Sequence, residues 1–443
     1  MQLPLEVRFL LENVYIVGTT PIPNAPDPFS ISHIVQYIVN MVQRVSGSAI
    51  ATHRHPQGIP VGTRIISVIA DLQAIHKFAG FKAHSATMFC WYCLCTNSEK
   101  ERLDWKIWTY RDGNTVRNQA DEWHKKKWIS EKEELAKKTG VRWTPMHELH
   151  YWDPVMHVLL GIMHNSLEGI LAHQLRTLWG IGRKNLPLKN PDLDVAEEGF
   201  TDVDISESGS ELSDLEEEAR EHMRSTSTGL TEKLDSVMFD DFSGDEDTPT
   251  PPQKHPNLQP NNDSDEDEDP DYKDIEPDNV FNFTSEELGA IRLCIQEVAL
   301  PTWVARPPTN LGEASHGKLK ADEYLVLFTV ILPHVLPVLW WNKGNKEHQL
   351  FDSFYHLITS INIICSFSTS DVEADAYMEA YVKYRKSIQD LFPYYPSKPN
   401  HHYAMHNGKL LKFWGPLATL SEFPGERLNG LMQKVKTSHR TSK

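Results

Sequence analysis

Two cysteines near one end of this chain and a histidine cluster near the other constrain its fold more than anything between them. Cys90-Trp91-Tyr92-Cys93 is a C-x-x-C pair, which lets one turn present two sulfurs to one metal. Its partners appear some 300 residues later, in His401-His402-Tyr403-Ala404-Met405-His406. If the two segments share a zinc ion, the fold must bring them together across the whole intervening chain. His401 with His406, or His402 with His406, would complete a four-ligand site, and the second pair, at i and i+4, shares one helix face. Cys95 could replace one of the two sulfurs. Five Cys in 443 residues, two of them in this motif, suit metal-bound thiolates in a reducing compartment better than a disulfide framework.

The run Ile65-Ile66-Ser67-Val68-Ile69-Ala70-Asp71 reads as a buried strand delivering a carboxylate at its end. Upstream, Val14-Tyr15-Ile16-Val17-Gly18 predicts a strand, residues 30–46 a helix, and His53 to Gly62 a loop. Downstream, residues 97–150 are rich in Trp and Lys and predict helices with a basic face. This face would contact phosphates or form an ordinary amphipathic surface with leaning lysines. The spacing of Val155, Leu159, Ile162, Met163, Leu167, Ile170 and Leu171 predicts helix from Trp152 to Trp179. Thr284-Ser285-Glu286-Glu287 is a capping box opening a helix through Val298. Leu325–Trp341, Phe351–Cys365 and Asp371–Phe392 predict further helices. Pro424-Gly425-Glu426 opens a last helix, with Leu428, Leu431, Met432 and Val435 as its buried face.

The net charge of −17 conceals an uneven distribution. Residues 191–280 hold 30 Asp and Glu against 5 Lys and Arg, while the remainder holds 39 basic residues against 31 acidic ones. The acidic tract, rich in Ser and Pro, buries too little apolar area to offset its ordering entropy and is expected to be disordered. The mildly basic remainder suits a nucleic-acid partner. No run of 18 apolar residues predicts a membrane span, and the N-terminus carries no signal-peptide pattern.

Several segments resemble the Tnp2-type transposases of CACTA elements in their basidiomycete form. They are residues 70–81 (Ala-Asp-Leu-Gln-Ala-Ile-His-Lys-Phe-Ala-Gly-Phe), His84-Ser85-Ala86-Thr87 and Phe89-Cys90-Trp91-Tyr92-Cys93. Tyr151-Trp152-Asp153-Pro154, Met163-His164-Asn165, His316-Gly317-Lys318-Leu319 through Glu323, Lys398-Pro399-Asn400-His401-His402 and Phe423-Pro424-Gly425-Glu426-Arg427 complete the set. That family is similar to the Transib group and the V(D)J recombinase. The resemblance implies an α/β fold: an RNase H-like core with an Asp, Asp, Glu (DDE) triad, interrupted by a long, mainly helical insertion. By it, Asp71 is the second acid and Glu426 the third, both on Mg²⁺ or Mn²⁺. Cys90, Cys93, His401 and His406 are structural zinc ligands.

The implied organisation has five parts. Residues 1–96 are a partial core, here expected to begin after the family's first strand and first Asp. Residues 97–190 are a basic helical insertion, 191–280 the disordered acidic linker, 281–396 further helical insertion, and 397–443 the His segment and Glu-bearing helix. Where relatives often carry an acid shortly before Met-His-Asn, this chain has Gly161. His164 and Asn165 are expected to serve packing and hydrogen bonding. The implied function is two-metal DNA strand cleavage and transfer in the nucleus, on transposon ends and as a homodimer, with no small-molecule cofactor and no membrane. Without a first acid, inefficient cutting is expected. The rival is a non-enzymatic, domesticated DNA- or chromatin-binding protein with a zinc-stabilised fold.

Overall fold

A computed structural model describes residues 5–10, 13–18, 27–181, 281–302, 304–313 and 317–433. The acidic tract 191–280 and Val435 lie outside these residues. The described part is predominantly helical, with two small sheets, so it fits a mixed α/β class only loosely.

Helix α1 (Pro28–Val45) buries Val35 and Val39. It leads into strands β1 (Ser48–Thr52) and β2 (His55–Val61), which form an antiparallel ribbon, so the stretch His53 to Gly62, where the sequence predicts a loop, is its turn and second strand. Pro56, Gly58 and Pro60 hide the strand pattern; Gly58 adopts φ +83°, which glycine tolerates at no cost. Residues 14–18 form no strand, because no described strand pairs with them.

Strand β3 (Val68–Ala70) and helix α2 (Leu72–Ala79) follow as expected. Asp71 joins them as the helix N-cap, its side chain accepting from the Ala74 amide at 2.7 Å. β3 pairs in parallel with β4 (Val158–Leu160), Val68 opposite Val158 and Ala70 opposite Leu160. The helical pattern from Trp152 therefore starts late. Val158–Leu160 is fully buried on both faces, and a short apolar run of this kind reads the same in a strand as in a buried helix. Between the two strands lie α3 (Gly113–Lys125) and α4 (Ile129–Thr139), where Lys132 leans over Trp123 and Lys127 over Trp128.

Helix α5 (Met163–Leu171, continued by His173–Leu178) has π-type hydrogen bonding. The rest of the body is helical: α6 (Ser285–Glu297, capped by Thr284), α7 (Ala321–Trp340), α8 (Asn345–Ile364) and α9 (Asp371–Leu391). Trp179 centres its aromatic core, stacked on Phe328 at 5.8 Å and edge-on to Phe283 and Trp340. By length and composition α7 could cross a membrane, but it spends its apolar residues here: Leu327, Phe328, Ile331, Leu332, Leu336 and Trp340 are all buried inside the protein. The chain closes with α10 (Pro399–Ala404), α11 (Asn407–Trp414) and α12 (Phe423–Gln433). In α12, Leu431 is exposed and not part of a buried face.

Candidate metal centre and strand-end acids

Cys90, Cys93, His402 and His406 converge in the core, each at most 1% exposed, with their donor atoms all within 4.8 Å of one another. Cys90 Sγ lies 3.4 Å from His406 Nε2, Cys93 Sγ 3.3 Å from His402 Nε2, and the two Nε2 atoms 3.4 Å apart. A tetrahedron with metal–nitrogen bonds of about 2.1 Å has an edge of about 3.4 Å. Three of the six donor separations already match such an edge, so the group of four could hold a four-coordinate metal such as zinc.

Local structure builds this cage from both ends. The amide of Tyr92 points at Cys90 Sγ (3.3 Å). Arg111 donates through Nε to the carbonyls of Cys90 and Cys93, fixing the turn between the sulfurs. The segment 108–111 runs antiparallel to it, with the Leu94 amide on Thr109 O and the Arg111 amide on Tyr92 O. His402 is held between Trp108, stacked at 4.8 Å, and Phe89. His402 lies in α10 and His406 caps α11, so four residues of helical rotation put both imidazoles on one side.

Burial pushes the His402 pKa down to about 3 and holds His406 well below its ordinary value, so both rings are neutral and free to donate a lone pair. The Cys93 thiol is raised, first by its hydrogen bond with Cys90 and then by burial. Metal entry must therefore expel thiol protons in exchange for a compensating dication.

His401 sits elsewhere, in place of the ligand role expected of it. Its Nε2 meets His173 Nδ1 at 3.0 Å and its Nδ1 meets the Tyr381 hydroxyl at 3.1 Å. One residue further along a helix turns the side chain by about 100°, away from the sulfurs. Cys95 is buried beside Cys93 but lies outside the group of four.

The acids gather at the carboxyl ends of β3 and β4. Asp71 follows β3 and is exposed; Glu426 lies in the first turn of α12, its Oε1 3.8 Å from His164 Nε2. His164 also bonds Glu168 through Nδ1 at 3.1 Å. Burial works against charge on His164, but the Glu168 hydrogen bond and the carboxylates of Glu422, Glu168 and Asp71 raise its pKa overall. His164 thus has an electrostatic place as well as a packing one. Asn165 is buried.

Glu422 escaped the sequence reading. Its carboxyl occupies the space beside Gly161, where any Cβ would overlap it, and Oε2 accepts from the Met163 amide at 3.3 Å. Burial raises its pKa to about 7, with Asp71 adding to the rise. A carboxyl group brought in from the C-terminal segment therefore stands where residue 161 has no side chain. The only signal for it in the sequence is the glycine after β4.

Comparison with known proteins assigns no family: no family model, no curated protein and no solved structure matches the chain.

Proposed function

We propose that this chain is a transposase-type DNA strand-cleavage and strand-transfer domain, with zinc in the Cys90, Cys93, His402 and His406 site and an RNase H-like arrangement around β3 and β4. One observation carries this reading. The segments that form the four-ligand cage also deliver Asp71, Glu422 and Glu426 to one end of a parallel strand pair. Open α/β sheets characteristically bind ligands at the carboxyl ends of their strands.

In this reading the metal at the cage is structural, because four protein donors leave no open position. Asp71 and Glu426 are the oxygen ligands for Mg²⁺ or Mn²⁺, which when bound would lower the pKa of an attacking hydroxyl and stabilise the leaving oxygen. His164, bonded to Glu168, stands 3.8 Å from the Glu426 carboxylate and would pair with it when charged. Glu422, with a pKa near neutrality, can hold or release a proton beside them.

One observation favours the rival, a DNA-binding protein without chemistry. One Asp71 oxygen already caps α2, and a protonated Glu422 contributes no charge to a cation. A Mg²⁺- or Mn²⁺-dependent nicking assay on supercoiled DNA separates the two. The enzyme reading expects nicking that is lost in both Asp71→Asn and Glu426→Gln. Because cutting is expected to be inefficient, the assay is run at high protein concentration with Mn²⁺; duplex binding with no nicking even then favours the rival, and nicking that survives both substitutions refutes these sites.

A further inference from the structure

From Pro28 to Ala70 the chain carries no Asp, Glu or Lys. Its charged residues are Arg44, Arg54 and Arg64, accompanied by His33, His53 and His55. This stretch contains the β1–β2 ribbon, in which Ser48 faces Val61, Ile50 faces Ile59 and Thr52 faces His55, leaving His53 and Arg54 as the tip. Nearly every ribbon residue is exposed, and the two strands pack chiefly on each other. Arg44 ends α1 at the ribbon's base, where its carbonyl accepts from Ser48 Oγ. Arg64 leaves the other strand with its guanidinium 5.2 Å over the Tyr151 ring. Among the described residues none of the three arginines forms an ion pair.

A two-stranded ribbon alone in water is marginally stable, and its outer edges expose backbone donors and acceptors. Keeping one in solvent, with cations and no carboxylate along it, suits a polyanionic partner. A β-ribbon has the cross-section to enter the DNA major groove. Phosphates on either side of the groove would meet arginines at the ribbon's base. The ribbon's exposed apolar residues, Ala49, Ile50, Ala51, Pro56, Ile59 and Pro60, are mostly small and include no aromatic anchor of the kind protein interfaces favour, so the arginines are its most distinctive recognition groups.

We propose that the β1–β2 ribbon is a duplex-DNA contact element, with Arg54 and its flanking histidines entering the groove and Arg44 and Arg64 on the phosphates beside it. The identity of the partner rests on the DNA-directed reading above; the surface itself does not.

The test uses the full chain and a fluorescein-labelled 30-base-pair duplex, with binding followed by anisotropy across a sodium chloride series without added divalent ion. Each phosphate contact removed lowers the slope of log K against log salt by about 0.9. Arg54→Ala is expected to weaken binding several-fold. Arg44→Ala, Arg54→Ala and Arg64→Ala together should weaken it more than ten-fold and flatten the slope by about 2 or more, with circular dichroism and zinc content unchanged. A triple variant that binds with the wild-type affinity and slope overturns the proposal. So does a variant that changes only the oligomeric state by light scattering, which would make the ribbon an interface between copies. If the wild-type chain binds no duplex even at low salt, the DNA-directed reading fails as well. If it binds and nicks while the triple variant is indistinguishable, only the ribbon assignment falls.

Discussion

Replacing His402 by Ala should do what replacing His401 does not: empty the metal site and collapse the stability of the whole described body. Zinc at this site would join Cys93 to His402 across 309 residues of chain. In the chain-entropy account, a cross-link closing a loop of that length restricts the unfolded state by about 6 kcal/mol at 25 °C. Domains are typically stable by only about 5–15 kcal/mol, so losing this link removes a large share of the total. It also strands two thiols and an imidazole in a dry core. At roughly 1.5 °C of melting temperature per kcal/mol for a body of about 300 residues, the expected fall is about 9 °C or more, or the cooperative transition vanishes. The assay is zinc content by mass spectrometry beside a thermal melt, on wild type, His402→Ala and His401→Ala. His402→Ala should purify with little or no zinc. His401→Ala should keep about one equivalent and lose stability only through its broken contacts with His173 and Tyr381. Full zinc content with an unchanged melt in His402→Ala, or loss of zinc in His401→Ala alone, refutes the ligand set.

Glu422 sets a pH dependence. The folded state holds its proton up to about pH 7, whereas the unfolded chain releases it near 4.5, so this group's contribution to stability is fully present below 4.5 and is lost as pH rises through 7. Glu422→Gln should therefore gain on wild type by up to about 3 kcal/mol in urea melts at pH 8.5 and by little near pH 5; an equal difference at both would show that the carboxyl is not held protonated. Trp179→Ala opens a cavity among Phe283, Phe328, Trp340 and Phe354 and should cost about 3–5 kcal/mol while leaving zinc content intact, so a variant that melts like wild type would mean this cluster does not carry the helical core.

The C-x-x-C pair and its distant histidines were legible because thiolate and imidazole at short spacing have few other uses. Choosing between His401 and His402 was a matter of helix phase. Four residues return to nearly the same face of a helix and five do not, and that geometry outweighs a spacing taken from a resemblance. β3 and Asp71 could be read from an apolar run ending in a carboxylate. The β1–β2 ribbon could not, because two prolines and a glycine break the alternation that marks a strand and because the ribbon buries almost nothing that would reveal its faces. Strand β4 was absorbed into the helix after it, since three buried apolar residues carry no period. Glu422 was invisible for a different reason: its environment is made by Gly161, far away in sequence, and no local pattern encodes a space left by a missing side chain.

The aromatic residues inside the two metal-binding motifs explain how the cage and the acids could act as one unit. Tyr92, between the cysteines, donates its hydroxyl to the carbonyl of Val158 at 2.7 Å, and Val158 begins the strand that leads to Gly161 and Glu422. Tyr403, between the histidines, donates to Phe89 O at 2.8 Å and meets His76 Nε2 at 3.1 Å, on the helix that Asp71 caps. Trp91 stacks on Tyr403 at 4.2 Å, locking the two motifs to each other. Asp71 and Glu422 are thus each tied to the cage through a buried tyrosine that neighbours a ligand in sequence. Protein interiors are close-packed and transmit small displacements. A metal that draws the four donors together would therefore fix the separation of β3 and β4, and with it the distance between Asp71 and Glu422. That arrangement needs no direct contact between the metal and the acids, which is how a closed four-ligand site can set the position of the strand-end carboxyls.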